Sequence, residues 1–296
     1  MRLLISGASG YVGSHLLKKL GENNFQLGIL VRKDIMNVLA GSFIINTNET
    51  DWKTKVHSFN PDVVLHLASY LTSSDDENQI DKLIEANISF GTHLLDAVKN
   101  SNVKTFINTG TFAEYPIREG KKTPAYLYAA TKTAFCSIVN YYQAVVGFRV
   151  FNIIPYTVYG GAHSAKKLID HIYDSLGSST PIDMSPGEQV LDFIHIDDVV
   201  NFYIILLSRI DQHKNNYTEI HLGSGKGITP KEIAKLMEKI SGKESNINWG
   251  GLPYRKNDTM FSVVPYNLSG SQVGWQPSLK IEEGIQMYLK EKANEI

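Results

Sequence analysis

Seven residues near the start of the chain, Gly7-Ala8-Ser9-Gly10-Tyr11-Val12-Gly13, limit what it can fold into. They follow directly on the apolar run Arg2–Ser6 and open an amphipathic stretch, Tyr11–Leu20. Three glycines at this spacing meet the needs of a dinucleotide-binding corner. Gly7 permits the tight turn, Gly10 lets backbone N–H groups approach a pyrophosphate, and Gly13 lets the helix lie against the sheet. The helix start adds about half a positive charge facing the anion. Ser9, Tyr11 and Val12 lie on the same loop and join the glycines as candidate cofactor contacts. A plain strand-turn-helix corner can use the same glycines, so the loop needs support from elsewhere in the chain.

The first half supplies it. Short β-branched runs at Arg2–Ser6, Gln26–Val31, 63–67, Thr105–Thr109 and 148–154 alternate with helical patterns at Tyr11–Leu20, 80–100 and 128–145. That order implies βαβ units around a parallel sheet, an α/β fold of the Rossmann, doubly wound kind. Beyond residue 160 the pattern loosens. Residues 192–196 and 219–222 read as strands of the same sheet or its edge. Thr229-Pro230-Lys231-Glu232 reads as an N-cap followed by proline at the first position of a helix running to about Ile240. We therefore expect a nucleotide-binding domain over residues 1–160, rejoined by segments near 192–222, and a smaller C-terminal α/β substrate lobe over 161–296. The lobe would close over the carboxyl ends of the strands, where α/β folds place ligands.

The second strand runs into Val31-Arg32-Lys33. An NAD site usually has an acidic residue here for the ribose hydroxyls, and none occurs before Asp34. Arg32 suits a 2′-phosphate instead, with Lys33 adding charge, which favours NADP(H) over NAD(H). Tyr128-Ala129-Ala130-Thr131-Lys132 places a phenol and an ammonium four residues apart, on one helical face. A phenol titrates near 10, and a cation beside it lowers that value toward the working range of a general acid. Upstream, Asn108-Thr109-Gly110-Thr111 ends a strand, and a hydroxyl there can bond a substrate carbonyl alongside Tyr128. Thr111 is the assigned residue and Thr109 the alternative. These assignments make Thr111, Tyr128 and Lys132 the catalytic candidates.

Composition narrows the partners. The net charge is -1, with acids and bases dispersed, which points to neither a nucleic acid nor a membrane surface. The apolar stretch 199–207 contains Asn201 and falls well short of the roughly 20 residues of a membrane span. The single cysteine, Cys136, rules out an internal disulfide and suits a reducing compartment. The chain start reaches glycine too early for a secretory leader, so a cytoplasmic location is expected. His66 and His195 lie in apolar strands and read as hydrogen-bonded structural residues, Cys136 reads as packed, and no spacing suggests a metal.

Together these motifs resemble the extended short-chain dehydrogenase/reductase family of sugar-nucleotide enzymes. Further matches are Asp62-Val63-Val64-Leu65-His66-Leu67-Ala68, Asn87 in Asn87-Ile88-Ser89-Phe90-Gly91-Thr92, Val158-Tyr159-Gly160, Asp192–Val199, Leu222-Gly223-Ser224-Gly225 and Val273-Gly274-Trp275-Gln276-Pro277. The resemblance implies that Leu67, Ala68, Asn87 and Tyr156 line the cofactor and that Lys132 holds its nicotinamide ribose. It implies Thr111, Thr157, Lys167 and Arg255 on the substrate side. It also implies a homodimer through a four-helix bundle built from the helices at 80–100 and 128–145.

Within the family, Asn108-Thr109-Gly110-Thr111, Arg255 with Met260-Phe261-Ser262-Val263, and Phe59-Asn60-Pro61-Asp62 are similar to the CDP-paratose and CDP-abequose synthase group of 4-ketoreductases. Dehydratases of the family carry an Asp-Glu pair after the catalytic threonine; Phe112-Ala113 stands there. The arginine many members place before the Asp-Phe pair is Leu191, and the asparagine before Val158-Tyr159-Gly160 is Thr157. Three readings follow: an NADPH-dependent 4-ketoreductase of a nucleotide-linked deoxy sugar, a sugar-nucleotide 4-epimerase, and a non-catalytic NADP(H)-binding regulator.

Overall fold

The computed structural model describes residues 1–21, 25–33, 39–74, 76–115, 123–163 and 165–294, which leaves Asp34 outside the described residues. Its main layer is built from β1 (Arg2–Ser6), β2 (Gln26–Val31), β3 (Phe43–Asn46), β4 (Val63–His66), β5 (Thr105–Thr109) and β6 (Arg149–Pro155). A later strand completes it. Between and beyond them run α1 (Tyr11–Leu20), α2 (Trp52–Phe59), α3 (Glu77–Ile84), α4 (Phe90–Val98) and α5 (Leu127–Val146). After β6 come β7 (Thr157–Tyr159), α6 (Leu168–Ser175), β8 (Ile182–Met184), β9 (Val190–His195), α7 (Ile196–Ser208) and β10 (Tyr217–Leu222). The chain ends with β11 (Gly227–Ile228), α8 (Pro230–Ser241), β12 (Ile247–Trp249), β13 (Phe261–Ser262) and α9 (Ile281–Asn294).

The large sheet has seven strands in the order β10-β6-β5-β4-β1-β2-β3, with every pairing parallel. This is the expected Rossmann order. The order reverses between β1 and β4, which opens a crevice at their carboxyl ends. The strands are apolar on both faces because both are covered. Alternation sorts the side chains. Leu3, Ile5, Ile29 and Phe151 point into one core with Leu16 and Leu20 of α1 and Phe202 and Leu206 of α7. Leu4, Leu30, Val64 and Phe106 point into the other, with Leu94 and Leu95 of α4 and Phe135 and Val139 of α5. A third core, with Ile172 of α6, Phe193 of β9, Met237 of α8 and Tyr288 of α9, underlies the smaller layer.

Three departures from the sequence reading have physical causes. The helix expected at 80–100 is α3 and α4 joined by a π-helical turn, Glu85–Ser89, which carries Asn87. The extra residue turns Asn87 inward, where its amide bonds both the Tyr70 backbone and Thr131. Next, β10 extends the large sheet beside β6, but β9 does not join it. β9 pairs instead with β7, β11 and β13, and its residue Asp192 is buried. The Asp192 carboxylate accepts from Ser224 N at 2.7 Å, Ser224 Oγ at 2.6 Å, Gly225 N at 2.7 Å and Val264 N at 3.2 Å, which pins the strand to those loops. Finally, β3 is a four-residue edge strand with Phe43 and Ile44 exposed, so it lacks the buried alternation that marks a strand in sequence. No helix among the described residues is long and apolar enough to cross a membrane.

The Thr229 side chain caps α8 and Glu232 returns the bond, as the Thr-Pro-Lys-Glu pattern predicts. Thr229→Ala is expected to cost about 1 kcal/mol of unfolding free energy, read as a lower urea midpoint at unchanged slope.

Candidate active site

The glycine corner is set by contact, not by flexibility alone. Gly7 sits at φ +76°, and a Cβ there would lie 2.4 Å from Ala68 N. A Cβ on Gly13 would lie 2.2 Å from the Gly7 carbonyl oxygen. Both glycines are thus required for α1 to start against the ends of β1 and β4. Gly10 is the N-cap residue of α1, and no side chain caps the helix. Its first-turn N–H groups therefore face the crevice without a side-chain partner, a donor set that fits a pyrophosphate. Leu67 and Ala68, just past β4, border this corner. Ser9 is exposed on the loop, and Val12 packs partly into the core below.

Arg32 stands just past β2 with its side chain exposed, while its carbonyl accepts from Asn48 Nδ2 at 2.7 Å. The backbone is tied down and the guanidinium is left facing solvent at the sheet edge where a ribose 2′ substituent is expected.

Tyr128 and Lys132 lie on the first turns of α5, and both are buried. Sequence reasoning expected the ammonium to lower the phenol. The structure differs. Burial pushes the Tyr128 phenol up, a hydrogen bond with Ser69 partly offsets this, and Tyr126 and Glu114 add to the rise. The desolvation cost of a buried phenolate outweighs its neighbours. Burial also lowers Lys132 to about 8, against an opposing effect from Glu114.

Ser69 was not singled out in sequence. It follows the Asp62–Ala68 motif directly, and that position at a strand end is the signal that would have found it. Its hydroxyl donates to Asn87 Oδ1 at 3.1 Å, and Asn87 Nδ2 donates to Thr131 Oγ1 at 3.0 Å. Thr131 Oγ1 in turn donates to the Tyr128 carbonyl at 2.7 Å. Asn87 thus ties the turn after β4 to the helix that carries Tyr128.

Thr111 caps a short 3₁₀ turn, Phe112–Glu114, and is buried. Its own N–H donates to Glu114 Oε1 at 2.9 Å. Thr109, the alternative, lies on the same face of β5 as Ile107, which packs with α7, and so on the opposite face of the sheet from α5. The geometry therefore separates the two threonines and keeps Thr111 on the Tyr128 side. Glu114 was also missed in sequence, because its bond to Thr133 joins two segments that only the fold brings together.

His66 is neutral. Burial and Lys132 lower it to about 3, and its Nδ1 shares a 2.7 Å bond with Ser6 Oγ. His195 caps α7 through the Asp197 N–H. Cys136 is buried, with its sulfur 3.7 Å from the Tyr217 hydroxyl. As expected, each histidine makes a hydrogen bond and Cys136 is packed.

The remaining candidates fall into three places. Tyr156 stacks on Phe112, and its hydroxyl is 2.9 Å from His221 Nδ1. Thr157 is half-buried in β7. The Lys167 ammonium lies 3.2 Å from the centre of the Tyr11 ring and donates to the Val158 carbonyl at 3.1 Å. Burial lowers it to about 7. Beside it Asp170 accepts from Tyr288 at 2.7 Å and pairs with His163 at 2.7 Å. Arg255 spans from the small layer to the crevice rim: its Nη2 donates to Ser73 Oγ at 2.7 Å, and its guanidinium lies 5.6 Å from the Tyr126 ring. Leu191, in the place of the family arginine, is buried in the third apolar core. No group of three or more His, Cys, Asp or Glu among the described residues could hold a metal ion.

Comparison with known proteins gives the family and the fold. The model of the NAD dependent epimerase/dehydratase family matches residues 3–220. CDP-abequose synthase of Salmonella typhimurium is 29% identical, over 97% of this chain and 97% of its own. UDP-glucuronate 4-epimerase of Thermodesulfobacterium geofontis is 26% identical, over 96% of this chain and 93% of its own. Among solved structures, the Thermus thermophilus UDP-glucose 4-epimerase in complex with NAD superimposes with a TM-score of 0.84 at 21% identity, covering 100% of both chains. At that identity it shows the fold alone.

The contact at Gly13 generates a direct test. Gly13→Ala should displace the corner and weaken nicotinamide dinucleotide binding by about tenfold or more, measured by quenching of protein fluorescence. Binding at wild-type affinity would contradict the packing described.

Proposed function

Because the chain belongs to the NAD dependent epimerase/dehydratase family, we propose that it is an NADPH-dependent reductase of the C4 ketone of a nucleotide-linked 4-keto deoxy sugar. The substrate class we favour is CDP-4-keto-3,6-dideoxyglucose, in the synthesis of surface-polysaccharide (O-antigen) sugars by a cytoplasmic enzyme. The observation that carries the reading is the site itself: Thr111 and Tyr128 on one side of the crevice, with Phe112-Ala113 where a dehydratase needs an acid–base pair. The full-length similarity to CDP-abequose synthase supports it.

A bound dihydronicotinamide would supply hydride. The chain's residues do the rest. The open N-terminus of α1, with Gly7, Gly10 and Gly13, holds the pyrophosphate. Arg32 meets the 2′-phosphate. Leu67, Ala68, Asn87 and Tyr156 line the rest of the cofactor's path. Thr111 and Tyr128 donate hydrogen bonds to the ketone oxygen as its charge grows, and Tyr128 gives up its proton. Burial favours this role, since a phenol pushed above its usual range enters the reaction protonated. Lys132, as its ammonium, would offset the phenolate that Tyr128 leaves until the phenol takes a proton back from solvent, and would bind ribose hydroxyls. Arg255, Lys167 and Thr157 face the nucleotide and sugar. The diphosphate grip differs from the family pattern, because Leu191 brings no charge.

The assembly we propose is a homodimer. Ile80 and Ile84 of α3 and Tyr141 and Val145 of α5 are exposed apolar residues on the helices that would meet in a four-helix bundle.

A 4-epimerase is the second reading, favoured by the 26% identity to UDP-glucuronate 4-epimerase. Purified protein mixed with NADPH and a panel of 4-keto sugar nucleotides, and in parallel with oxidised cofactor and the matching 4-hydroxy sugar nucleotides, decides between the two. Loss of absorbance at the nicotinamide band is expected for the reductase; interconversion of 4-hydroxy epimers without net NADPH loss would replace it with the epimerase. Tyr128→Phe should lower turnover by about 10² or more while leaving cofactor binding nearly unchanged. Arg32→Ala should weaken NADPH much more than NADH, and equal weakening would remove the 2′-phosphate role.

A further inference from the structure

We infer that His221 is a positioning residue of this site, which fixes the Tyr156 ring and through it the turn that begins at Thr111. The kinetic side of this inference rests on the ketoreductase reading; its stability side does not.

His221 is the penultimate residue of β10 and is 3% exposed. Both of its ring nitrogens are engaged. Nδ1 lies 2.9 Å from the Tyr156 hydroxyl, and Nε2 lies 3.3 Å from Glu219 Oε1. A carboxylate oxygen accepts and does not donate, so Nε2 carries a proton. In the singly protonated ring Nδ1 then accepts from the phenol. A buried phenol holds to such a partner, because losing it strands a polar group away from water. The Tyr156 backbone is held as well, since its N–H donates to the Leu222 carbonyl at 3.0 Å. Ring and backbone of Tyr156 are both pinned to β10.

Tyr156 in turn holds the threonine turn. Its ring stacks on Phe112, the residue after Thr111, with centroids 5.7 Å apart and planes at 28°. The hydroxyl of Tyr115, at the far end of the Phe112–Glu114 turn, donates to the same Glu219 oxygen at 2.8 Å. Ile154, Tyr156 and Val264 form the small apolar cluster on which Phe112 and Tyr115 pack. Glu114 ties the turn to α5 through Thr133, and this cluster ties it to β6 and β10.

The stance of the turn is the stance of the Thr111 hydroxyl. Thr111 Oγ1 accepts from Ala113 N at 3.4 Å within the turn, which uses a lone pair and not the proton. A hydroxyl that bonds a growing charge acts only when held within about 0.5 Å of its productive place. His221 supplies that precision without touching substrate or cofactor.

His221→Phe keeps an aromatic ring and removes both nitrogens. It is expected to lower kcat by about tenfold through misplacement of Thr111. His221→Asn keeps an acceptor near the place of Nδ1 and should recover most of that loss; no recovery would overturn the inference. In a Thr111→Val background there is no hydroxyl left to position, so His221→Phe should lower kcat no further. The same loss in both backgrounds would make His221 a residue of the fold alone and overturn the inference.

Thermal unfolding gives an arm that needs no turnover. His221→Phe and Phe112→Leu loosen the same stack, so together they should lower Tm by about 2 °C less than the sum of their separate shifts. Additive shifts would overturn the inference whatever the enzyme reduces. Should the wild type consume no NADPH with any 4-keto sugar nucleotide, the ketoreductase reading fails, and the Tm cycle still decides whether His221 holds the turn.

Discussion

The backbone-to-backbone approach at the glycine corner is the contact on which the rest of the structure depends. Gly7 lies so close to the Leu67–Ala68 peptide, and Gly13 so close to the Gly7 carbonyl, that neither position has space for a side chain. This closeness fixes the start of α1 over the gap between β1 and β4. It brings the uncapped N–H groups of that helix to the place where the strand order reverses. Every other element of the site is placed relative to that gap. β4 delivers the neutral His66, and the turn after it Ser69, to its floor. β5 delivers Thr111, and α5 lays Tyr128 and Lys132 along its wall.

Much of the fold was legible in the sequence because its signals are local. β1, β2 and β5 begin and end where their apolar runs do, and Thr229 with Pro230 marks the start of α8. The glycine spacing and the Tyr128–Lys132 pair were readable for the same reason, since each follows from a turn or a helical face. What escaped depends on contacts far apart in the chain. The departure of β9 into a second sheet is governed by the Asp192 carboxylate reaching Ser224, Gly225 and Val264, which no periodicity records. The π-helical turn at Asn87 reflects what its amide meets, Tyr70 and Thr131, not the residues beside it. Glu114 and Ser69 were hidden for a third reason. Each acts on a partner that another element brings, so neither forms a pattern in its own segment.

The site also shows how burial sets protonation. Tyr128 is held up and Lys132 held down by the same loss of water. A pair of this kind resists forming the separated ions, phenolate and ammonium, unless a neighbouring charge intervenes.

The order of strands has a consequence for the chain as a whole. β10 closes the edge of the large sheet only after the polypeptide has left it to build β7, α6, β8 and β9. The two layers are interleaved along the chain instead of strung in series. A fragment ending near residue 160 would leave the sheet's face without α7 and β6 without its outer neighbour, exposing Phe151 and Ile153. The nucleotide layer and the smaller layer must therefore mature together, with the final edge pairing closing a loop of more than sixty residues.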